Sequence, residues 1–211
     1  MKGRGKISLK ASEAFYQRTK KRYLYNITVI QNIPSIIEHG ILCYDRASQL
    51  DHASIALDSV QQKREKVRVP HGMRLHQYAN LYFTYHNPLL YKRQDQAEDL
   101  CILAISSEVL DYDGCIVTDR NAATSLVKFY SPEAGIEQID FELVFAKFWT
   151  HPDLNEQNNH KAIKCAEVLI PRKVPYDQIL NACVVSEEAK QKLINTGFDR
   201  EITVKPSVFY R

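Results

Sequence analysis

Leu100-Cys101-Ile102-Leu103-Ala104-Ile105 is an unbroken apolar run, long enough for a strand covered on both faces and far short of the roughly 20 residues that a membrane-spanning helix needs. A chain with such a strand must place it inside a sheet and lay helices over it. Strand character recurs at 23–28, from Ile41 onward, in the aromatic stretch 81–85, and at 114–118, 164–170, 182–185, 202–205 and 208–210. Helical patterns cover 12–22, 34–38, 54–66, 121–130, 136–149 and 187–195. Asn32 is placed to cap the helix over 34–38, which Gly40 ends, and Gly197 ends the last helix. Val69-Pro70-His71-Gly72 is a break. The stretch 151–161, rich in Asp, Asn, Gln and His without a period, reads as a loop.

Strands outnumber helices and do not alternate with them regularly, so the predicted fold class is α/β (α+β): a mixed β-sheet core with short flanking helices. No G-x-G-x-x-G occurs, which argues against a Rossmann-type dinucleotide site. The sequence has 211 residues and 45% apolar content, enough for one core, and it shows no repeat, low-complexity tract or linker. Residues 1–211 are therefore expected to form one domain.

The five cysteines are odd in number and widely spaced, and most lie in apolar strand-like runs, which reads as buried reduced thiols and a cytoplasmic location. No C-x-x-C or H-E-x-x-H is present, and no metal site is expected. The N-terminus carries charge without an apolar segment, so neither membrane insertion nor classical secretion is expected. Charge is unevenly distributed. Residues 1–22 carry +7, leaving −4 for the remainder of a chain whose net charge is +3. With Phe15, Tyr16, Tyr23 and Tyr25 in and beside it, this basic segment suits phosphates and stacked bases, or else forms a solvated helix face.

Several side chains offer chemistry, each with a plainer alternative. Glu167 stands alone as a carboxylate in the apolar run Cys165-Ala166-Glu167-Val168-Leu169-Ile170. It points either into a cleft or, as the pattern by itself suits better, to a wet sheet edge. Arg64, in Gln62-Lys63-Arg64-Glu65-Lys66, can clamp a pyrophosphate or lie exposed at a helix end. Asn26 and Thr28 can bond an amide or a ribose, or cap a turn. Residues 81–91, which include Tyr82 and His86, form either a ring-dense wall for a nicotinamide or base, or ordinary packing. Asn155, Gln157, Asn158 and Asn159 can read base edges, and Lys161 and Lys164 can hold a phosphate, unless 151–161 is only a connector.

In their order these segments resemble the DarT family of bacterial DNA ADP-ribosyltransferase toxins. The matching stretches begin with Tyr25-Asn26-Ile27-Thr28, then Asn32-Ile33-Pro34-Ser35-Ile36-Ile37-Glu38-His39-Gly40-Ile41-Leu42 and Arg64. They continue through Leu75-His76-Gln77-Tyr78, Pro88-Leu89-Leu90-Tyr91, Val117-Thr118-Asp119-Arg120-Asn121-Ala122-Ala123 and Phe129-Tyr130. Ala166-Glu167-Val168-Leu169-Ile170-Pro171 and Val174-Pro175 complete the series.

The resemblance implies an ADP-ribosyltransferase fold and an enzyme that cleaves NAD⁺ and modifies a nucleobase of single-stranded nucleic acid, DNA in preference to RNA. Glu167 is then the catalytic glutamate, and Arg64 the second catalytic or NAD⁺-orienting residue. Asn26, Thr28 and Asn32 line the nicotinamide-ribose site. It also implies a toxin–antitoxin pair with a macrodomain-type hydrolase. The sequence departs from the family pattern where Asn26 and Val29 stand in place of histidines, and where His86 stands in place of an arginine. The same chemistry on RNA, a protein-directed transferase and a non-catalytic nucleic-acid-binding module are the other functions these residues permit.

Overall fold

The computed structural model describes residues 9–55 and 58–210. Its strands are β1 (Tyr23–Val29), β2 (Ile41–Leu42), β3 (Tyr78–Tyr82), β4 (Leu100–Ser106), β5 (Ile116–Thr118), β6 (Phe129–Tyr130), β7 (Glu167–Pro171), β8 (Lys173–Val174), β9 (Ile179–Val184) and β10 (Glu201–Val204). Its helices are α1 (Ala11–Thr19), α2 (Ile33–His39), α3 (Tyr44–Ala47), α4 (Asp58–Glu65), α5 (Pro88–Lys92), α6 (Pro132–Gln138), α7 (Phe141–Phe145), α8 (Leu154–Ile163) and α9 (Glu187–Asn195). Lys2, Arg4 and Lys6 of the basic segment lie outside the described residues.

Eight strands form one mixed sheet in the order β10-β9-β4-β1-β3-β7-β5-β6, and β2 pairs with β8 in a separate ribbon. Within the large sheet β10 runs parallel to β9, and the other pairings are antiparallel. β4 lies near the middle because nearly all its side chains are apolar; from Leu100 to Ile105 every residue is buried. α1 covers one face by inserting Phe15, which is fully buried and packs against the rings of Phe83 and Phe141. No helix among the described residues is long and apolar enough to cross a membrane.

Local sequence explains most of the boundaries. Asn87, Ser131, Asp140, Asp153 and Ser186 each accept a backbone N–H at the start of a helix. Gly40 ends α2 with φ of +80°, where a Cβ would meet the Val174 carbonyl oxygen at 2.3 Å, so only glycine fits. Asn32 does not cap α2. Its side-chain amide instead donates to Ala53 O at 2.8 Å and accepts from Ala53 N at 2.9 Å, binding the segment after α3 to the start of α2.

Five segments differ from the sequence expectation. The strand expected over 81–85 is β3, Tyr78–Tyr82, which stops before Phe83. The helix expected over 121–130 is instead a turn, followed by β6 at Phe129–Tyr130, because Asn121 Oδ1 accepts the Ala123 N–H at 2.8 Å and competes with helical bonding. The helix expected over 136–149 is two short helices, since Asp140 caps a new one through the Leu143 N–H at 3.0 Å. The loop expected over 151–161 is largely helix α8. The pair Asp153 and Glu156 is an N-terminal capping signature, and His160 and Ile163 supply the buried side. The strand expected over 208–210 does not form; Pro206–Val208 is a 3₁₀ turn and residues 209–210 are irregular.

Candidate active site

Register across three neighbouring strands places Tyr25 opposite Tyr82, and Tyr82 opposite Glu167. Residues directly opposite one another share a face of the sheet, so the three form one row. Glu167, first in β7, is fully buried in the sheet interior. The wet edge that its sequence pattern suggests is not where it lies.

Arg64 reaches Glu167 from α4. Its Nη1 donates to Oε1 and to Oε2, each at 3.0 Å, and the Ala122 N–H donates to Oε1 at 2.9 Å. A carboxylate offers about four lone-pair positions, so these three bonds leave about one. Behind the carboxylate, the Glu167 N–H donates to Thr118 Oγ1 at 3.1 Å, and the Thr118 hydroxyl donates to the Arg120 carbonyl at 2.7 Å. Thr118 thus joins the backbone of Glu167 to the 119–128 loop that brings Ala122. Arg64 is itself only 7% exposed, which rules out a solvated helix-end arginine.

Arg64 forms part of the wall of an open cleft of about 280 Å³. Asn26, Thr28, Asn32 and Tyr82 line the same cleft, which gathers the residues predicted to bind the cofactor. Glu167 is sealed just behind a wall that includes Arg64, Tyr82 and Cys165. A second hollow, of about 540 Å³, adjoins the first and shares Tyr44, His52, Ser54 and Gln61 with it. Among the described residues no group of three or more His, Cys, Asp or Glu side chains could hold a metal ion.

Burial sets the ionisation of the neighbours. The Tyr82 hydroxyl is held well above the ordinary tyrosine range by burial and then by the charge of Glu167, so it stays a neutral donor. The Cys165 thiol is pushed up to about 12 by burial and by Glu167, which leaves it protonated and unreactive. His76 is held below its usual value by burial and then by the Arg64 cation, and its Nε2 lies 3.0 Å from Gln61 Oε1.

The residues predicted to contact the acceptor do not line the cleft. Asn155, Gln157, Asn158, Asn159 and Lys161 all lie on α8, where Asn155 and Asn158 are exposed. Asn159 Oδ1 accepts from Arg120 Nη1 at 2.9 Å, tying α8 to the loop beside Glu167. Lys164 is no phosphate ligand. Its side chain is fully buried, its ammonium donates to Val144 O at 2.8 Å and Ala146 O at 2.7 Å, and burial pushes it down to about 8. His86 is half-buried between Trp149 and Tyr210 and stands apart from the cleft. Sequence reasoning assigned no role to Thr118 or to the Ala122 N–H. The only signal was their place in the stretch 117–123, because a main-chain donor leaves no mark on residue type.

The family model described as "ssDNA thymidine ADP-ribosyltransferase, DarT" matches residues 25–210. A DNA ADP-ribosyl transferase-DNA ADP-ribosyl glycohydrolase fusion protein of Thermosipho africanus is 31% identical, over 88% of this chain and 48% of its own. The chain therefore spans about half the length of that relative. The solved structure of Thermus sp. 2.9 DarT in complex with ADP-ribosylated ssDNA has a TM-score of 0.79 at 23% identity, covering 90% of this chain and 97% of that one. The same Thermus protein in complex with NAD⁺ has a TM-score of 0.74, again at 23% identity, covering 90% of this chain and 98% of that one. At that identity the two structures establish a common fold.

Proposed function

The chain belongs to the DarT family, and on that premise we propose that it transfers the ADP-ribosyl group of NAD⁺ to a thymidine base of single-stranded DNA, with Glu167 as the catalytic carboxylate. The observation that carries this reading is the hold on Glu167: Arg64 and the Ala122 N–H fix both of its oxygens beside a cleft lined by Asn26, Thr28 and Asn32.

In the reaction the bond between the ribose anomeric carbon and the nicotinamide nitrogen breaks, and its electrons leave with nicotinamide. Positive charge then develops on the ribose, as in glycoside cleavage, and a fixed carboxylate beside it lowers the barrier electrostatically. The ring nitrogen of the base forms the new bond to that carbon and loses its proton, which the remaining lone pair of Glu167 can accept. Arg64 covers the carboxylate, so it must loosen its hold on Oε2 for the ribose to approach. In doing so its planar guanidinium becomes available to the pyrophosphate. Tyr82, protonated and beside Glu167 on the neighbouring strand, forms part of the wall between the carboxylate and the cleft.

Acceptor selection is assigned to α8 and the 119–128 loop, through Asn155, Gln157, Asn158 and Lys161. Arg120 and Asn159 join the two elements next to Glu167. The chain acts as the toxin of a toxin–antitoxin pair, in the cytoplasm, with a macrodomain-type hydrolase that removes the adduct. What supports this role is the Thermosipho africanus relative, which joins a DNA ADP-ribosyl transferase to a DNA ADP-ribosyl glycohydrolase.

The test is incubation of the protein with NAD⁺ labelled in its ADP-ribose and with separate pools of single-stranded DNA, RNA and protein. Label is expected on DNA containing thymidine and not on DNA lacking it. Label on RNA or protein alone would replace the proposed acceptor, and no label in any pool would remove the enzymatic reading.

A further inference from the structure

Three stretches of the sequence, 14–37, 86–94 and 143–152, contain no Asp or Glu and carry cations among aromatic residues. The fold brings them together. The Lys21 ammonium lies 4.7 Å from the ring centre of Phe145, joining the segment after α1 to the end of α7. Two residues further on, the Lys147 ammonium lies 5.3 Å from the ring centre of Phe148, and that ring is 69% exposed. Next to it, Trp149 meets Tyr91 of α5 edge-on, with ring centres 6.1 Å apart. Tyr91 is 48% exposed, and its helix neighbours Leu89 and Lys92 line the cleft in front of Glu167.

A single exposed ring on a protein surface is ordinary and means nothing by itself. What distinguishes these is their company. Each lies beside a cation or a second ring, acidic residues are missing from all three stretches, and one end of the series is the cleft mouth. We infer that Phe145, Phe148 and Tyr91, with Lys21, Lys147 and Lys92, form a strip that binds single-stranded nucleic acid outside the reacting nucleotide. Bases stack on the exposed rings while the ammonium groups take the phosphates, the combination that holds single strands without reading their sequence. The inference rests on the proposed single-stranded acceptor and adds where the flanking nucleotides run. A protein segment as the occupant fits less well, since two of the three rings have an ammonium group beside them, as phosphates repeat along a strand.

The experiment compares affinity for two single-stranded DNA oligonucleotides, of about 4 and about 16 nucleotides, by fluorescence anisotropy at several salt concentrations. The parent is expected to bind the longer one more tightly. In Phe148→Ala and Tyr91→Ala that gain with length should shrink roughly tenfold. Lys147→Glu, which keeps the ring, should instead flatten the salt dependence by at least about 0.7 in log–log slope. Both rings are exposed, and circular dichroism checks that each variant is folded. A parent that binds both lengths equally, or ring variants that keep the parent's gain with length, would overturn the strip. A parent that shows the length effect yet transfers no ADP-ribose would overturn the enzymatic reading and leave the strip standing.

Discussion

Nη1 of Arg64 lies 3.0 Å from both carboxylate oxygens of Glu167, and the two residues are 103 positions apart in the sequence. The contact takes place between α4 and the sheet, where Glu167 has no access to water and Arg64 only a little. Each partner therefore depends on the other both for stability and for the proposed chemistry.

Glu167→Gln keeps the side-chain volume and can still accept from the Ala122 N–H, but it removes the charge. Transfer is expected to fall about a hundredfold or more, corresponding to about 3 kcal/mol of lost transition-state stabilisation. Thermal unfolding should shift only modestly. Glu167→Ala is a poorer probe, since it strands a buried guanidinium. A folded Gln variant with parental turnover of labelled NAD⁺ would exclude the carboxylate from catalysis.

Arg64→Ala leaves a buried carboxylate without its cation, a change that costs about 3–5 kcal/mol in comparable pairs. Denaturant unfolding should show that loss together with a fall in transfer. Arg64→Lys restores charge but not the planar fork, so stability should recover in part while activity stays low. If both variants transfer at the parental rate, the pairing is purely structural.

Thr118→Val is nearly isosteric and removes both hydrogen bonds of the buried hydroxyl. The Glu167 N–H and the Arg120 carbonyl lose their partner, at a cost of about 1–3 kcal/mol. Because Thr118 joins β7 to the loop carrying Ala122, kcat should drop while KM for NAD⁺ changes little. Steady-state kinetics read the split. A change confined to KM would show that Thr118 acts on binding instead.

Lys164 carries the pH prediction. Burial lowers its pKa from 10.5 to about 8, so between those values the unfolded chain holds the proton more often than the folded one. Stability from this group therefore rises with pH across that window, and is lost as pH falls towards 8. Cysteines and tyrosines with raised values act in the opposite sense above about pH 9. They are common to parent and variant, so the difference between the parent and Lys164→Met isolates the lysine. That difference should move in the parent's favour from pH 8 to 10, by at most about 1.4 kcal/mol per pH unit. Parallel unfolding curves at all pH values would remove the argument.

Asn155, Asn158 and Asn159 are the exposed amides of α8, and the proposed role in acceptor selection belongs to the first two more than to Asn159, which is engaged with Arg120. Asn155→Ala or Asn158→Ala should relax the preference among single-stranded oligonucleotides while NAD⁺ hydrolysis without acceptor continues. Asn159→Ala should instead lower every rate together, by freeing Arg120. An unaltered preference in both the Asn155 and the Asn158 variant would move selection to the 119–128 loop.

The parts of the fold legible in the sequence are those whose residues act locally. β4 is legible because its run is apolar throughout, and α9 because Gly197 closes it, with φ of +88°. Residues 121–130 misled because Ala, Leu and Val suit a helix in composition, while one side-chain bond from Asn121 decides for a turn that leads into β6. α8 misled in the other direction: its polar composition hid a helix that Asp153 starts and that packs through His160 and Ile163. At the site, Arg64 and Glu167 stood out by type, yet no spacing rule joins two positions with four strands between them in the chain. Their pairing depended on family order and then on coordinates. Lys164 shows the converse, a cation whose residue type suggests an anion and whose surroundings supply only carbonyls.

The hold of Ala122 on Glu167 comes from the main chain, and this affects how such a protein can drift. Among single residue exchanges at that position, only proline deletes the donor itself; every other is limited only by the space around a fully buried methyl group. Side chains of the 119–128 loop that hold no backbone group, such as the exposed Leu126, can therefore be exchanged without unfastening the carboxylate. The electrostatic part of the machinery is inherited through backbone shape, and the adjacent surface is left open to variation in what it recognises.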